Sequence, residues 1–221
     1  MIELAVFDVA GTTVDEGGTV YRVLADTVRA VGADPTPGQI EAWMGASKRE
    51  AIQALLREAG ADASDPVVDA AFADFRARLA TAYRTDPPKP FAGVPEAIDR
   101  LRRAGVKVAL TTGFDRDTTA SLLASIGWSD GVLDAVICID DVTAGRPAPF
   151  MVFHAMEATG VTDVRRVLVA GDTVRDVQAA QNAGAAIVVA VTTGEVPAAT
   201  LAAAAPTHVL GGVAEIPDLL G

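Results

Sequence analysis

Short apolar runs recur along the chain, each closed by small or polar residues: Leu4–Phe7, Val106–Leu110, Ala135–Ile139, Val167–Ala170, Ile187–Val191 and, more weakly, His208–Leu210. Unbroken runs of this length, without polar alternation, predict strands covered on both faces, as in a parallel sheet. The stretches between them carry helical spacing with readable ends. Pro95 opens one helix and Gly105 closes it; others run over Thr118–Ile126, Pro149–Thr159 and Val174–Ala183, each followed by a glycine. Strand and helix alternating with short connections predict a doubly covered, Rossmann-like α/β core. The Ala-rich stretch Ala198–Ala205 reads as a surface helix or loop.

From about Asp15 to Pro90 the alternation stops. Helical patterns cover Tyr21–Val31, the residues after Pro37, those after Ser47, and those from Asp65-Pro66, where Asp caps and Pro takes the first helical position. Asp86-Pro87-Pro88-Lys89-Pro90 reads as a stiff, extended connector. The expected organisation is an α/β core of residues 1–14 and 91–221 with an all-α insert, 15–90, between the first and second core strands. Such an insert is either a mobile cap over a site or a fixed helical bundle.

Open α/β sheets place their chemistry at the carboxyl ends of strands. Four ends are occupied here. Asp8-Val9-Ala10-Gly11-Thr12-Thr13 follows the first strand, Thr111-Thr112-Gly113 the second, Gly145-Arg146-Pro147 lies past the third, and Gly171-Asp172-Thr173-Val174-Arg175-Asp176 follows the fourth. A carboxylate attacks phosphorus only when its repulsion from the phosphoryl oxygens is screened, so a cation and N–H or hydroxyl donors are required. Asp8 and Asp172 are candidate ligands for a hard ion such as Mg²⁺. The Thr112 hydroxyl, the Gly113 N–H and Arg146 are candidate holders of phosphoryl oxygens.

A net charge of -11 on 221 residues argues against nucleic acid or a membrane surface as partner, and leaves a small anionic substrate open. The single cysteine, Cys138, reads as a packed thiol on a buried strand. No stretch reads as a membrane span, and the N-terminus enters a strand directly, so a cytoplasmic location is expected. His154 and His208 read as structural.

The order of the four strand-end motifs resembles the haloacid dehalogenase-like hydrolases, over essentially the whole chain. The resemblance implies that Asp8 is a nucleophile forming an aspartyl-phosphate. It also implies that Asp8, the Ala10 carbonyl and Asp172 hold Mg²⁺, and that Thr173 and Asp176 support that shell. Gly11, Thr112, Gly113 and Arg146 are then the phosphoryl-binding set.

Most phosphatases of this family carry a second Asp two residues after the nucleophile, where this chain has Ala10. Loss of such a proton donor costs roughly 10²–10⁴-fold in rate. The branch without it is the phosphonatases, whose motifs resemble Ala10–Asp15, Thr111–Gly113, Ala144–Pro147 and Gly171–Val174. In that branch a cap lysine forms a Schiff base with an aldehyde substrate. Its Met-Gly-x-x-Lys sequence is similar to Met44-Gly45-Ala46-Ser47-Lys48. Ser47-Lys48-Arg49-Glu50 fits a capping box, which puts Lys48 in a first helical turn beside Arg49; both the helix start and that neighbour favour the neutral amine.

The alternative is a phosphomonoesterase, similar to phosphoglycolate phosphatases, in which Lys48 only contacts substrate phosphate. Three positions depart from the phosphonatase pattern: Ala51 where a proton-relay His is usual, Phe114 where a Tyr is usual, and Gly18 in place of a Cys. Met44, Gly45 and Phe114 are expected around the organic part of a small phosphonate or phosphate ester. A monomer or a homodimer through the cap is expected, with Tyr21, Leu24 and Trp43 as candidate dimer contacts.

Overall fold

The computed structural model describes residues 1–129 and 131–221. Six parallel strands form one sheet in the order β5-β4-β1-β6-β7-β8: β1 Leu4–Asp8, β4 Lys107–Thr111, β5 Ala135–Ile137, β6 Val167–Gly171, β7 Ile187–Val191 and β8 His208–Leu210. β1 is central, with all five residues buried. Its register sets Asp8 opposite Thr111 on one side and Phe7 opposite Ala170 on the other. The ends that carry Asp8, Thr112 and Asp172 therefore lie side by side.

Helices α5 (Val94–Arg103), α6 (Arg116–Ser125), α7 (Phe150–Thr159), α8 (Val174–Ala183), α9 (Ala198–Ala203) and α10 (Ile216–Leu219) complete the core. α7 packs on β1, β4 and β5, and α8 on β6 and β7. The apolar stripe of α5 is Val94, Ala97, Ile98 and Leu101, and that of α8 is Val177, Ala180 and Ala183, all buried. The third expected strand is shorter than its apolar run. β5 ends at Ile137, and Cys138 is buried as the cap of a 3₁₀ turn over Ile139–Asp141, its N–H bonded to Asp141 Oδ2 at 2.8 Å.

The segment between the first two core strands holds α1 (Thr19–Ala30), α2 (Pro37–Ala42), α3 (Lys48–Glu58) and α4 (Asp65–Thr85). Leu24, Val28, Ile52, Leu55, Leu56, Phe75 and Leu79 are buried between these helices, in a cluster continuous with the apolar residues of the sheet. The expected extended connector is in part a strand: β3, Lys89–Pro90, pairs antiparallel with β2, Val14–Asp15. Pro lacks an N–H and is tolerated on such an edge. Entry to and exit from the helical segment are thereby tied into one short ribbon. No helix among the described residues is long and apolar enough to cross a membrane.

Candidate active site

Asp8, Asp172 and Asp176 each present a carboxylate oxygen within 4.8 Å of the others, and all three are buried. The local sequence explains the placement. After β1 the chain folds back on itself, with the N–H groups of Thr13 and Val14 both bonded to the Val9 carbonyl. Gly11 adopts φ +86°, and a Cβ there would collide with the Asp172 carboxylate. Thr12 donates its hydroxyl to Asp172 Oδ1 at 2.7 Å, and Thr13 donates to the Asp8 carbonyl at 2.9 Å. Thr173 and Asp176 form a reciprocal capping box at the start of α8, so Asp176 is held by the Thr173 N–H and hydroxyl.

Arg146 threads between the carboxylates. Its Nη1 lies 2.7 Å from Asp8 Oδ1 and its Nε 2.9 Å from Asp176 Oδ1. Its Nη2 donates to the Thr111 carbonyl and hydroxyl at 2.9 and 2.8 Å. All three guanidinium nitrogens are thus engaged within the protein, and the neighbouring carboxylates hold the group charged despite its burial. Burial raises Asp8 to about 6 against the opposing pull of Arg146, and burial with the Asp8 charge pushes Asp172 well above the ordinary carboxylate range. One guanidinium among three carboxylates leaves excess negative charge in a closed space. Thr112 is buried beside them, its hydroxyl accepting the Phe114 N–H at 3.1 Å.

Part of the helical segment lies against this end of the sheet. Gly113 abuts it so closely that a Cβ would stand 2.7 Å from the Ala46 carbonyl oxygen. Met44, Ala46 and Lys48 are all buried there. Lys48 is the first residue of α3, and its Nζ donates to the Ala46 carbonyl at 2.9 Å. The ammonium stands 5.4 Å from the Tyr21 ring centre and 5.7 Å from that of Phe114. Burial lowers Lys48 to about 8, with Asp8 pulling the other way and Arg146 reinforcing the fall.

Several expectations are corrected. The capping box at Ser47 is half made: the Ser47 hydroxyl accepts the Glu50 N–H at 3.3 Å, with no reciprocal bond from the Glu50 side chain. Arg49 turns away from Lys48 to pair with Asp69 and Asp65 at 2.8 and 3.0 Å, so the cation that depresses Lys48 is Arg146. Leu24 is fully buried and so is not a surface contact, while Tyr21 is half-buried with its ring toward Lys48. Trp43 stacks on Arg175 at 5.0 Å, across the seam between α2 and α8. His154 is exposed on α7, and the His208 ring lies 3.0 Å from the Thr207 hydroxyl.

Other residues at the site escape sequence reasoning. Thr193 donates to the Gly11 carbonyl at 2.6 Å, and Gly194 packs where a Cβ would meet Asp172. Both lie just past β7, a fifth strand end that the run Ile187–Val191 announces. Glu16 is half-buried beside Lys48 and raised by that burial, its Oε2 accepting the Val20 N–H at 2.7 Å.

A parallel sheet with an aspartate triad, a buried arginine and a small-residue turn at its carboxyl end defines a class of hydrolase. The model of the haloacid dehalogenase-like hydrolases matches residues 2–184, and the chain belongs to that family. It is 33% identical over 190 residues to a phosphoglycolate phosphatase of Rhodobacter capsulatus, covering 86% of this chain and 84% of that one. It is 30% identical over 197 residues to a phosphonoacetaldehyde hydrolase of Bacillus cereus strain AH187, covering 83% and 73%. The fold matches a hydrolase from Pseudomonas syringae with TM-score 0.87, at 20% identity over 99% of this chain and 97% of that one. It also matches a phosphonoacetaldehyde hydrolase-like protein from Oleispira antarctica with TM-score 0.86, at 19% identity over 99% and 91%.

Proposed function

We propose that this hydrolase is Mg²⁺-dependent and phosphonatase-like, cleaving the P–C bond of a small carbonyl-bearing phosphonate such as phosphonoacetaldehyde or an analogue. Residues 15–90 act as its cap, moving on the ribbon of β2 and β3. The observation that carries the reading is one absence paired with one presence: Ala10 supplies no proton donor, while Lys48 brings a buried amine lowered to about 8 to the same site.

The donor set fits Mg²⁺, because buried carboxylates in excess over cationic side chains are hard oxygen ligands with charge to neutralise. Asp8, the Ala10 carbonyl and Asp172 would hold it, with Thr173 and Asp176 fixing the surrounding shell. When bound, the ion screens the repulsion between Asp8 and the phosphoryl oxygens.

The chain's own residues do the rest. The neutral Lys48 amine adds to the carbonyl carbon, and the carbinolamine takes up a proton from solvent and loses water to give a protonated C=N bond. Asp8 attacks phosphorus; the P–C electron pair moves into the C=N system, leaving an enamine on Lys48 and an acyl phosphate on Asp8. The enamine carbon takes a proton from solvent, water hydrolyses the resulting iminium and the acyl phosphate, and the aldehyde, phosphate and the protons taken up are released. Gly11, Thr112 and Gly113 take phosphoryl oxygens, and Arg146 orients Asp8 through the 2.7 Å contact while balancing charge. Met44, Gly45 and Phe114 enclose the organic part, and closure excludes water from the imine.

A second reading is favoured by the 33% identity to a phosphoglycolate phosphatase. In it Lys48 stays protonated and contacts the anionic end of a phosphate ester. Phosphate release from phosphonoacetaldehyde, phosphoglycolate and an aryl phosphate separates the two. The phosphonatase reading expects the phosphonate to be the preferred substrate by kcat/KM, and preference for phosphoglycolate establishes the other.

A further inference from the structure

With Ala at position 10, Ala at position 51 and Phe at position 114, the organic side of the site lacks a carboxyl, an imidazole and a phenol at three positions where polar groups would serve. Addition of an amine to a carbonyl places negative charge on the carbonyl oxygen, and an enclosed apolar wall would oppose it. Besides the Glu16 carboxyl, a phenol faces this space. Tyr21, on α1, accepts the Gly45 N–H at 3.4 Å through its hydroxyl oxygen, and its ring lies 5.4 Å from Lys48 Nζ. Among the described residues its O–H proton has no acceptor. Burial, with the charges of Asp172, Asp8 and Asp176, holds this phenol well above its ordinary pKa. It is therefore a neutral donor throughout the working pH range rather than a base.

We propose that the Tyr21 hydroxyl donates a hydrogen bond to the substrate's carbonyl oxygen as Lys48 adds to the carbonyl carbon. The N–C bond forms, the π pair moves to oxygen, and the proton shed by the Lys48 nitrogen passes to that oxygen; Tyr21 keeps its own proton. The Gly45 N–H fixes the phenol from behind. That glycine belongs to the same loop that leads into Lys48, so donor and amine are positioned together. Phe114, whose ring centre is 5.7 Å from the ammonium, has no hydroxyl, which leaves the phenol on α1 as the donor of this aromatic pair.

This inference rests on the imine reading of Lys48, and the test separates the two. Wild type and Tyr21→Phe, which keeps the ring and removes only the hydroxyl, are mixed with phosphonoacetaldehyde and quenched with borohydride at increasing times. The trapped adduct is quantified by mass, with the unfolding midpoint of each protein as the control for folding. Trapping in wild type, with a rate on the order of 10²-fold lower in Tyr21→Phe, unchanged midpoint and a deficit in kcat rather than KM, is the expected result. Equal trapping rates overturn the role of Tyr21 and leave the imine reading standing. No adduct in wild type overturns both.

Discussion

The two halves of the site are built by different means. On the core side the groups hang from strand ends or a helix start, Asp8 on β1, Thr112 after β4, Asp172 after β6 and Asp176 in the first turn of α8, with Arg146 reaching in from the loop before α7. Each is braced by backbone or hydroxyl contacts, Thr12 on Asp172 and Thr13 on the Asp8 carbonyl among them. On the helical side the groups are sparse and aromatic: one amine, a phenol and a loop that touches the core at Gly113. In the proposed function, the first half would carry the phosphoryl chemistry and the second would set the organic part of the substrate. The relatives of similar identity are a phosphoglycolate phosphatase and a phosphonoacetaldehyde hydrolase.

Breaking the core half should give the largest effect. Asp8→Asn is expected to lower kcat by roughly 10⁴-fold or more on every substrate, checked by phosphate release, because a nucleophile acts as part of a unit. Breaking the helical half should be selective. Lys48→Ala and Lys48→Arg are expected to lose phosphonate cleavage equally, by on the order of 10³-fold, since the guanidinium cannot form the imine. An active Lys48→Arg enzyme would show that a charge suffices.

The seam between the halves comes next. Gly113→Ala places a methyl group 2.7 Å from the Ala46 carbonyl, so the loop must retreat. Roughly a tenfold rise in KM is expected, read in steady-state assays, with a small change in the midpoint of unfolding. The pH profile sharpens the contrast further. The imine reading expects kcat/KM to climb as pH rises through about 8, where Lys48 loses its proton. A charge contact expects activity to fall over the same range.

Stability offers the smallest effect and an independent check. Lys48 binds its proton less tightly folded, at about 8, than at its ordinary 10.5, so at neutral pH its charge opposes folding. Lys48→Met should stabilise the protein by about 1–3 kcal/mol in denaturant titrations while abolishing phosphonate cleavage. Asp8 has the opposite sign: raised from 3.8 to about 6, it binds protons more tightly in the folded chain. Without metal, stability should fall as pH rises through that window, and added Mg²⁺ should reverse the loss.

The core half is legible in the sequence because its residues are fixed by local rules. An apolar run predicts a buried strand, and the residues just past the run sit at the sheet end. Even there, the guanidinium of Arg146 clamps Asp8 and Asp176 together, a long-range pairing that no spacing reveals. The helical half is legible as elements but not as contacts. Arg49 neighbours Lys48 in sequence yet faces α4, because successive residues on a helix point in different directions. Tyr21 reads as a surface aromatic because the turn of α1 that aims it at Lys48 depends on how α1, α3 and α4 pack. Thr193 and Gly194 carry no motif of their own, but they lie at the end of a strand whose apolar run is plain. The rule that chemistry gathers at strand ends reaches them when it is applied to all of the runs.

The proposed reaction turns on a covalent bond between Lys48 and the substrate. Wild-type protein loaded with Mg²⁺ is incubated with phosphonoacetaldehyde, reduced with borohydride, digested and mapped by mass spectrometry. Irreversible inactivation that requires the substrate is expected, with a stable two-carbon adduct on Lys48, blocked in Lys48→Arg. Full activity after reduction under turnover conditions, with Lys48 unmodified, would contradict it.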